Sequence, residues 1–163
     1  CKRMRGDSRF FAYDVAIGER NARTCMRRNC CLPASSLRQM TPCHLKAFPH
    51  TATVDDEWVS MTRLDDWARG RDLPAPVLLK LDVQGYEREV LDGAEHTLDA
   101  VGRLLVEVSF HELYSGQALF DELHCLLTRK GFRCSGVINP AFDRSTGAVV
   151  QADAIFERTL RRN

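Results

Sequence analysis

Val77-Leu78-Leu79-Lys80-Leu81-Asp82-Val83 is a short, nearly continuous apolar run, set behind Pro74 and Pro76 and closed by Gln84-Gly85. Such a run, bounded by proline and glycine, reads as a strand buried on both faces of a parallel sheet. After it, Val90, Leu91, Ala94, Leu98 and Val101 recur at helical spacing, and Asp92-Gly93 is expected to break or kink that helix. Arg103-Leu104-Leu105-Val106-Glu107-Val108-Ser109-Phe110 reads as a second buried strand. Strand, helix and strand fit within about 35 residues, the size of a right-handed βαβ crossover.

The pattern continues outward. Leu119, Phe120, Leu123, Leu126 and Leu127 form one apolar stripe of a helix. Asp121 and Glu122 near its start and Arg129-Lys130 at its end match the macrodipole, and Gly131 is the expected left-handed cap. Phe132, Cys134 and Ile138 suggest a strand, with Asn139-Pro140 and Ser145-Thr146-Gly147 marking a loop. Val150, Ala152, Ala154 and Phe156 alternate with polar residues, giving a last strand that should pair antiparallel with the one before it. On the N-terminal side, residues 10–17 are expected as a strand ended by Gly18, residues 22–26 as the start of its hairpin partner, residues 28–50 as loop, residues 57–62 as a strand and residues 64–68 as a short helix.

The chain has 163 residues, of which 44% are apolar and 28% charged. That is the balance of one soluble globular domain, not of a disordered or fibrous chain. No stretch has the roughly 20 apolar residues of a membrane-spanning helix, so no membrane partner is expected. The chain begins at Cys1, which reads as a piece of a longer protein. Residues 1–50 carry ten Lys or Arg against three Asp or Glu, and residues 51–163 carry thirteen against nineteen. A basic third of this kind can meet a polyanion, but no aromatic interleaving or nucleic-acid motif accompanies it, so nucleic acid is not the expected partner. The seven cysteines are odd in number and irregular in spacing, the usage of reduced thiols in a reducing compartment, here the cytoplasm. Cys25, Cys30, Cys31, Cys43 and His44 lack a CxxC pair, and no metal site is expected from them.

Open α/β sheets bind ligands beyond the carboxyl ends of their strands. That rim receives Asp82, Gln84, Gly85, Tyr86 and Glu87 from one strand and Ser109, Phe110, His111 and Glu112 from the next. Asp82 either caps the following helix or faces the cleft as a functional carboxylate. Glu107, inside an apolar run, must either reach the rim or pair with Lys80, since an unpaired buried carboxylate is costly. His111 has the pKa range of a base. No GxGxxG or GxxxxGK[ST] occurs, so no complete nucleotide site is encoded.

Leu79-Lys80-Leu81-Asp82-Val83-Gln84-Gly85-Tyr86-Glu87, followed by Val90-Leu91-Asp92-Gly93-Ala94-Glu95, resembles the signature of the FkbM-type methyltransferases. The resemblance continues through Val106-Glu107-Val108-Ser109-Phe110, Leu113-Tyr114-Ser115-Gly116-Gln117, Phe120-Asp121-Glu122-Leu123 and Gln151-Ala152-Asp153-Ala154-Ile155-Phe156, in family order and spacing. It is strongest over residues 57–157. Val15-Ala16-Ile17-Gly18-Glu19 resembles the family's third strand and the turn after it, and Ala34-Ser35-Ser36-Leu37 its serine-rich loop.

The resemblance implies a Rossmann-like class I methyltransferase fold. Its sheet is mostly parallel with an antiparallel last strand, in the order 3-2-1-4-5-7-6 along a complete family domain. It implies S-adenosylmethionine as cofactor and a hydroxyl of a sugar or natural product as acceptor. Residues 1–163 then form a single partial methyltransferase domain lacking the first two strands, inactive alone. The expected catalytic residues are Asp82, Glu107 and His111, and the expected cofactor contacts are Ala16, Ile17 and Asp82. The vacant sheet position exposes a strand edge open to self-association. The rival reading is a non-catalytic partner or regulatory module that keeps the scaffold without the cofactor half.

Overall fold

The computed structural model describes residues 10–51, 54–143 and 145–159. Its elements in chain order are β1 (Ala16–Gly18), β2 (Ala22–Asn29), α1 (Pro42–Ala47), β3 (Val54–Arg63), α2 (Leu64–Ala68), β4 (Val77–Leu81), α3 (Glu87–Asp92), β5 (Val101–Ser109), α4 (Phe120–Arg129), β6 (Phe132–Phe142) and β7 (Val149–Arg158). They make a mixed α/β fold with two mixed sheets, one ordered β1-β3-β2 and the other β4-β5-β7-β6.

The larger sheet follows the expectation from the sequence closely. β4 and β5 pair in parallel across the α3 crossover, while β7 lies antiparallel between β5 and β6. α3 stops at Gly93, as Asp92-Gly93 signals, and Gly131 takes the left-handed φ of 83° that ends the α4 segment. Leu123 and Leu127 are buried in the main core with Leu104, Val106 and Phe156.

Burial on both faces is not what β4 and β5 show. Leu104, Val106 and Val108 are buried, but Leu105 and Glu107 between them are only partly so. On β4, Leu81 is buried while Leu78 is 64% exposed. The covered face is the one on which α4 packs. β4 pairs with β5 alone among the described strands, so its apolar run stands at an edge. β6 runs through Asn139-Pro140 instead of ending there, with a register shift between Ile138 and Ala141. Proline is tolerated because β6 is an edge strand and the irregularity absorbs its missing N–H.

The N-terminal reading needs more correction. Only Ala16–Gly18 of the expected first strand is extended and paired, and it pairs in parallel with β3. β2 pairs antiparallel with β3 over eight residues, from Ala22↔Met61 to Asn29↔Val54. That long ladder satisfies more backbone groups than a hairpin with the three-residue β1 would. The loop expected over residues 28–50 contains the end of β2, a 3-10 turn at Leu32–Ala34 and α1. The basic residues within and just before this segment meet acids from elsewhere: Arg27 faces Asp56 at 3.8 Å, Arg28 faces Glu57 at 3.4 Å and Arg38 pairs with Glu89. Among the described residues, no helix is long and apolar enough to cross a membrane.

The small sheet and the α3 crossover meet through backbone. A Cβ on Gly93 would stand 2.1 Å from the Gly18 carbonyl oxygen, so the turn after β1 lies directly on the end of α3. Leu123→Ala should cost about 2–5 kcal/mol in chemical denaturation, the usual range for emptying a packed leucine site. Leu78→Ala should cost below about 0.5 kcal/mol, because that side chain stands mostly in water.

Candidate active site

Beyond the end of β4 the chain makes a tight turn. Gln84 and Gly85 both have positive φ, 53° and 89°. Glycine is required at the second position, because a Cβ there would lie 2.7 Å from the Tyr114 Cβ. The buried Glu87 carboxylate braces the turn, accepting the N–H groups of Val83 at 3.2 Å and Gly85 at 3.3 Å. Asp82 therefore does not cap α3; Glu87 satisfies the turn, and no side chain caps the start of α3.

Asp82 is freed for other contacts. Lys80 Nζ donates to its Oδ2 at 2.9 Å and Gln84 Nε2 to its Oδ1 at 2.8 Å. Lys80 is thus the partner of Asp82. Glu107 takes the Gln84 amide instead, Nε2 to Oε2, at 2.6 Å. The Tyr114 hydroxyl donates to Gln84 Oε1 at 2.7 Å, and Ser36 Oγ donates to the Gln84 carbonyl at 2.6 Å. Ser36 is held in turn by paired backbone hydrogen bonds with Arg27, at 2.8 and 3.1 Å.

A cleft of about 420 Å³ opens beside this cluster, a volume suited to a small ligand. Its walls are largely apolar, with Ala16, Ile17, Met26 and Val83 among them, and Asp82 is its one carboxylate. Tyr86 also faces the cleft. Its hydroxyl donates to Glu19 Oε2 at 2.9 Å, and burial followed by that acidic partner pushes its pKa up to about 12. The structure thus brings Ala16, Ile17 and Asp82 around one cavity and ties Glu107 to it through Gln84. His111 lies on the exposed turn after β5 and is not among the residues lining the cleft.

Two carboxyls in this region are displaced from their ordinary range. Burial, reinforced by Asp82, Glu87 and Asp153 and opposed by Lys80, pushes Glu107 up to about 8. Burial pushes Glu87 up to about 7, against the pull of the backbone N–H groups it accepts. Gln84, Tyr114, Ser36 and Glu87 had no assigned role in the sequence reading. A polar residue placed before a glycine at the end of an apolar run was the available signal for Gln84. Nothing local announced Tyr114 or Ser36. Among the described residues, no group of three or more His, Cys, Asp or Glu side chains is placed to hold a metal ion.

A family model described as a methyltransferase FkbM domain matches residues 33–134, which include Ser36, Asp82, Gln84, Glu107 and Tyr114. The chain belongs to the FkbM methyltransferase family. Membership implies S-adenosylmethionine as the methyl donor. This FkbM domain is also similar to the 2-O-methyltransferase NoeI of Sinorhizobium fredii (strain NBRC 101917 / NGR234), with 41% identity over 59 residues, 36% of this chain and 24% of the relative. The match therefore spans about a quarter of that relative's length. No solved structure matches the chain significantly.

The raised carboxyl pKa values set a pH dependence of stability. Folded Glu107 and Glu87 hold protons that the unfolded chain releases near pH 4.5, so stability falls as pH rises through their folded values, about 8 and about 7. His44 acts in the opposite sense. Burial, then His50, lowers its pKa, so stability is lost as pH falls below 6.5. Thermal melts should therefore decline from about pH 5 toward pH 8, because the two carboxyls outweigh the one histidine. Glu107→Gln should flatten that alkaline decline by about 1 kcal/mol or more, each pKa unit being worth about 1.4 kcal/mol.

Proposed function

We propose that the cleft bounded by Ala16, Ile17, Asp82 and Val83 is a methyl-transfer site acting on a hydroxyl oxygen of a sugar or natural product. The observation that carries this reading is the Asp82 carboxylate on an otherwise largely apolar wall, inside the family-matched span. The relative's name, a 2-O-methyltransferase, supports oxygen as the acceptor atom.

The residues fit the donor's chemistry in kind: an apolar wall for its aromatic portion and one carboxylate near a sulfonium's positive charge. Ala16, Ile17 and Asp82 would hold it. When bound, S-adenosylmethionine supplies an electrophilic methyl group. Asp82 orients an acceptor hydroxyl by accepting its hydrogen bond, and it takes the proton as the oxygen becomes nucleophilic. The low-dielectric walls limit the orientations of the acceptor, and alignment of this kind supplies much of the rate in a displacement. Glu107, one amide away, modulates the charge on Asp82. The exposed position of His111 gives it no such role in this reading.

Two measurements test the proposal. In a full-length family member carrying this segment, Asp82→Ala should lower turnover by about tenfold or more, the range for a general base or positioning group. Unchanged turnover would remove Asp82 from the mechanism. The second measurement concerns the 163 residues alone. With no glycine-rich motif and β4 paired on one side alone among the described strands, they should bind S-adenosylmethionine weakly and self-associate through the β4 edge. Calorimetric titration with light scattering checks both. Micromolar binding by a monodisperse monomer would overturn the account of a partial domain. Absent binding by every longer form would favour the non-catalytic module.

A further inference from the structure

Gln84 combines an uncommon backbone with a fully used side chain. Its φ of 53° lies in the left-handed region, where a residue bearing a side chain is held by its surroundings. Such held positions collect at functional sites. Its two amide hydrogens serve two different carboxylates, Asp82 at 2.8 Å and Glu107 at 2.6 Å. Its amide oxygen accepts the Tyr114 hydroxyl at 2.7 Å. The sense of the amide follows from chemistry: the phenol supplies the donor for the amide oxygen, so the NH₂ group faces Asp82 and Glu107, each of which offers an accepting oxygen, Glu107 even while its other oxygen carries a proton. Tyr114 is 2% exposed, so this anchor is itself fixed by packing.

We propose that Gln84 is a positioning residue that holds Asp82 and Glu107 as one linked carboxyl pair, fixing their spacing and the direction in which Asp82 faces the cleft. For its catalytic consequence this rests on the cleft being the methyl-transfer site; the coupling itself does not. The groups facing Glu107 favour its protonated form. Glu87 from α3 and Asp153 from β7 add negative charge around Glu107, and Lys80 from β4 opposes them from the Asp82 side. Tyr114 contributes a neutral hydroxyl whose own ionisation is pushed further up by burial and by these acids. Like charges this close oppose one another, and together with burial they displace Glu107 upward. Without the amide, nothing else bonded to both carboxylates would set their spacing or the direction in which Asp82 points.

The test is a carboxyl-carbon NMR titration of the 163-residue chain. In the wild type, Glu107 should titrate well above an ordinary glutamate. Gln84→Met keeps the length of the side chain and removes the amide, so the Glu107 midpoint should rise by about one pH unit or more, the worth of a lost hydrogen bond to a charged group. Tyr114→Phe should move it the same way by less, because the amide loses the anchor on its oxygen. In a full-length family member, Gln84→Met should reduce kcat about tenfold with little change in KM. Gln84→Glu, which donates only while protonated, should restore activity on the acid side of the pH profile. A Glu107 midpoint unmoved in both folded variants would overturn the proposal, as would moved midpoints with an unaltered kcat. Moved midpoints in a protein that transfers no methyl group even as wild type would support the pairing and sink the reading of the cleft.

Discussion

The turn that leaves β4 is the constraint on which the rest of the site depends. Two successive residues with positive φ, Gln84 and Gly85, turn the chain three and four residues beyond the end of the strand. That reversal brings the backbone against Tyr114, where a Cβ on Gly85 has no room. It also aims two N–H groups inward, and the Glu87 carboxylate accepts both. An N–H buried without a partner costs about as much as a lost hydrogen bond, so the turn and the buried acid stabilise each other. The same reversal leaves Asp82 on the cleft side and swings the Gln84 amide toward β5. Fold and candidate chemistry thus share one set of hydrogen bonds.

The segment before the cleft is held to this turn from several directions. Arg38 donates to the Ser115 carbonyl at 2.7 Å, pairs with Glu89 and lies 5.4 Å from the centre of the Tyr86 ring. Thr41 N–H donates to Leu113 O at 2.9 Å, and Ser115 N–H to Gln39 O at 2.8 Å. Residues with little regular secondary structure are thereby ordered by bonds to elements far away in sequence. The Ser36 hydroxyl can meet the Gln84 carbonyl because of this strapping.

What the sequence made legible was local in origin. The β4-α3-β5 crossover, the end of α4 at Gly131 and the β6–β7 pair all follow from periodicity and turn residues within one or two elements. What it concealed was relational. The apolar run of β4 does not say whether a second neighbour covers it, so the exposure of Leu78 was not readable. The pairing of β2 with β3 is decided by a competition between partners, and the shortness of β1 decides it. Asn139-Pro140 carries a loop's composition, yet an edge strand can hold it. The candidate site divides in the same way. Asp82 and Glu107 stand out as carboxylates in apolar runs, whereas the residue that joins them, Gln84, does so through bonds to Glu107 and Tyr114, 23 and 30 residues away.

The contact between Gly18 and Gly93 bears on how such a site can change. Main chain rests on main chain there, so the closest approach of the small sheet to the crossover helix is set by backbone. The cleft lies between these same two bodies, lined by Met26, Leu32 and Leu37 on one side and Val83 and Tyr86 on the other. Substitutions at those positions can reshape the cavity without altering the distance between its walls. The shape of the cavity and the spacing of its walls are therefore separable in this domain: one is set by exchangeable side chains, the other by the main-chain contact.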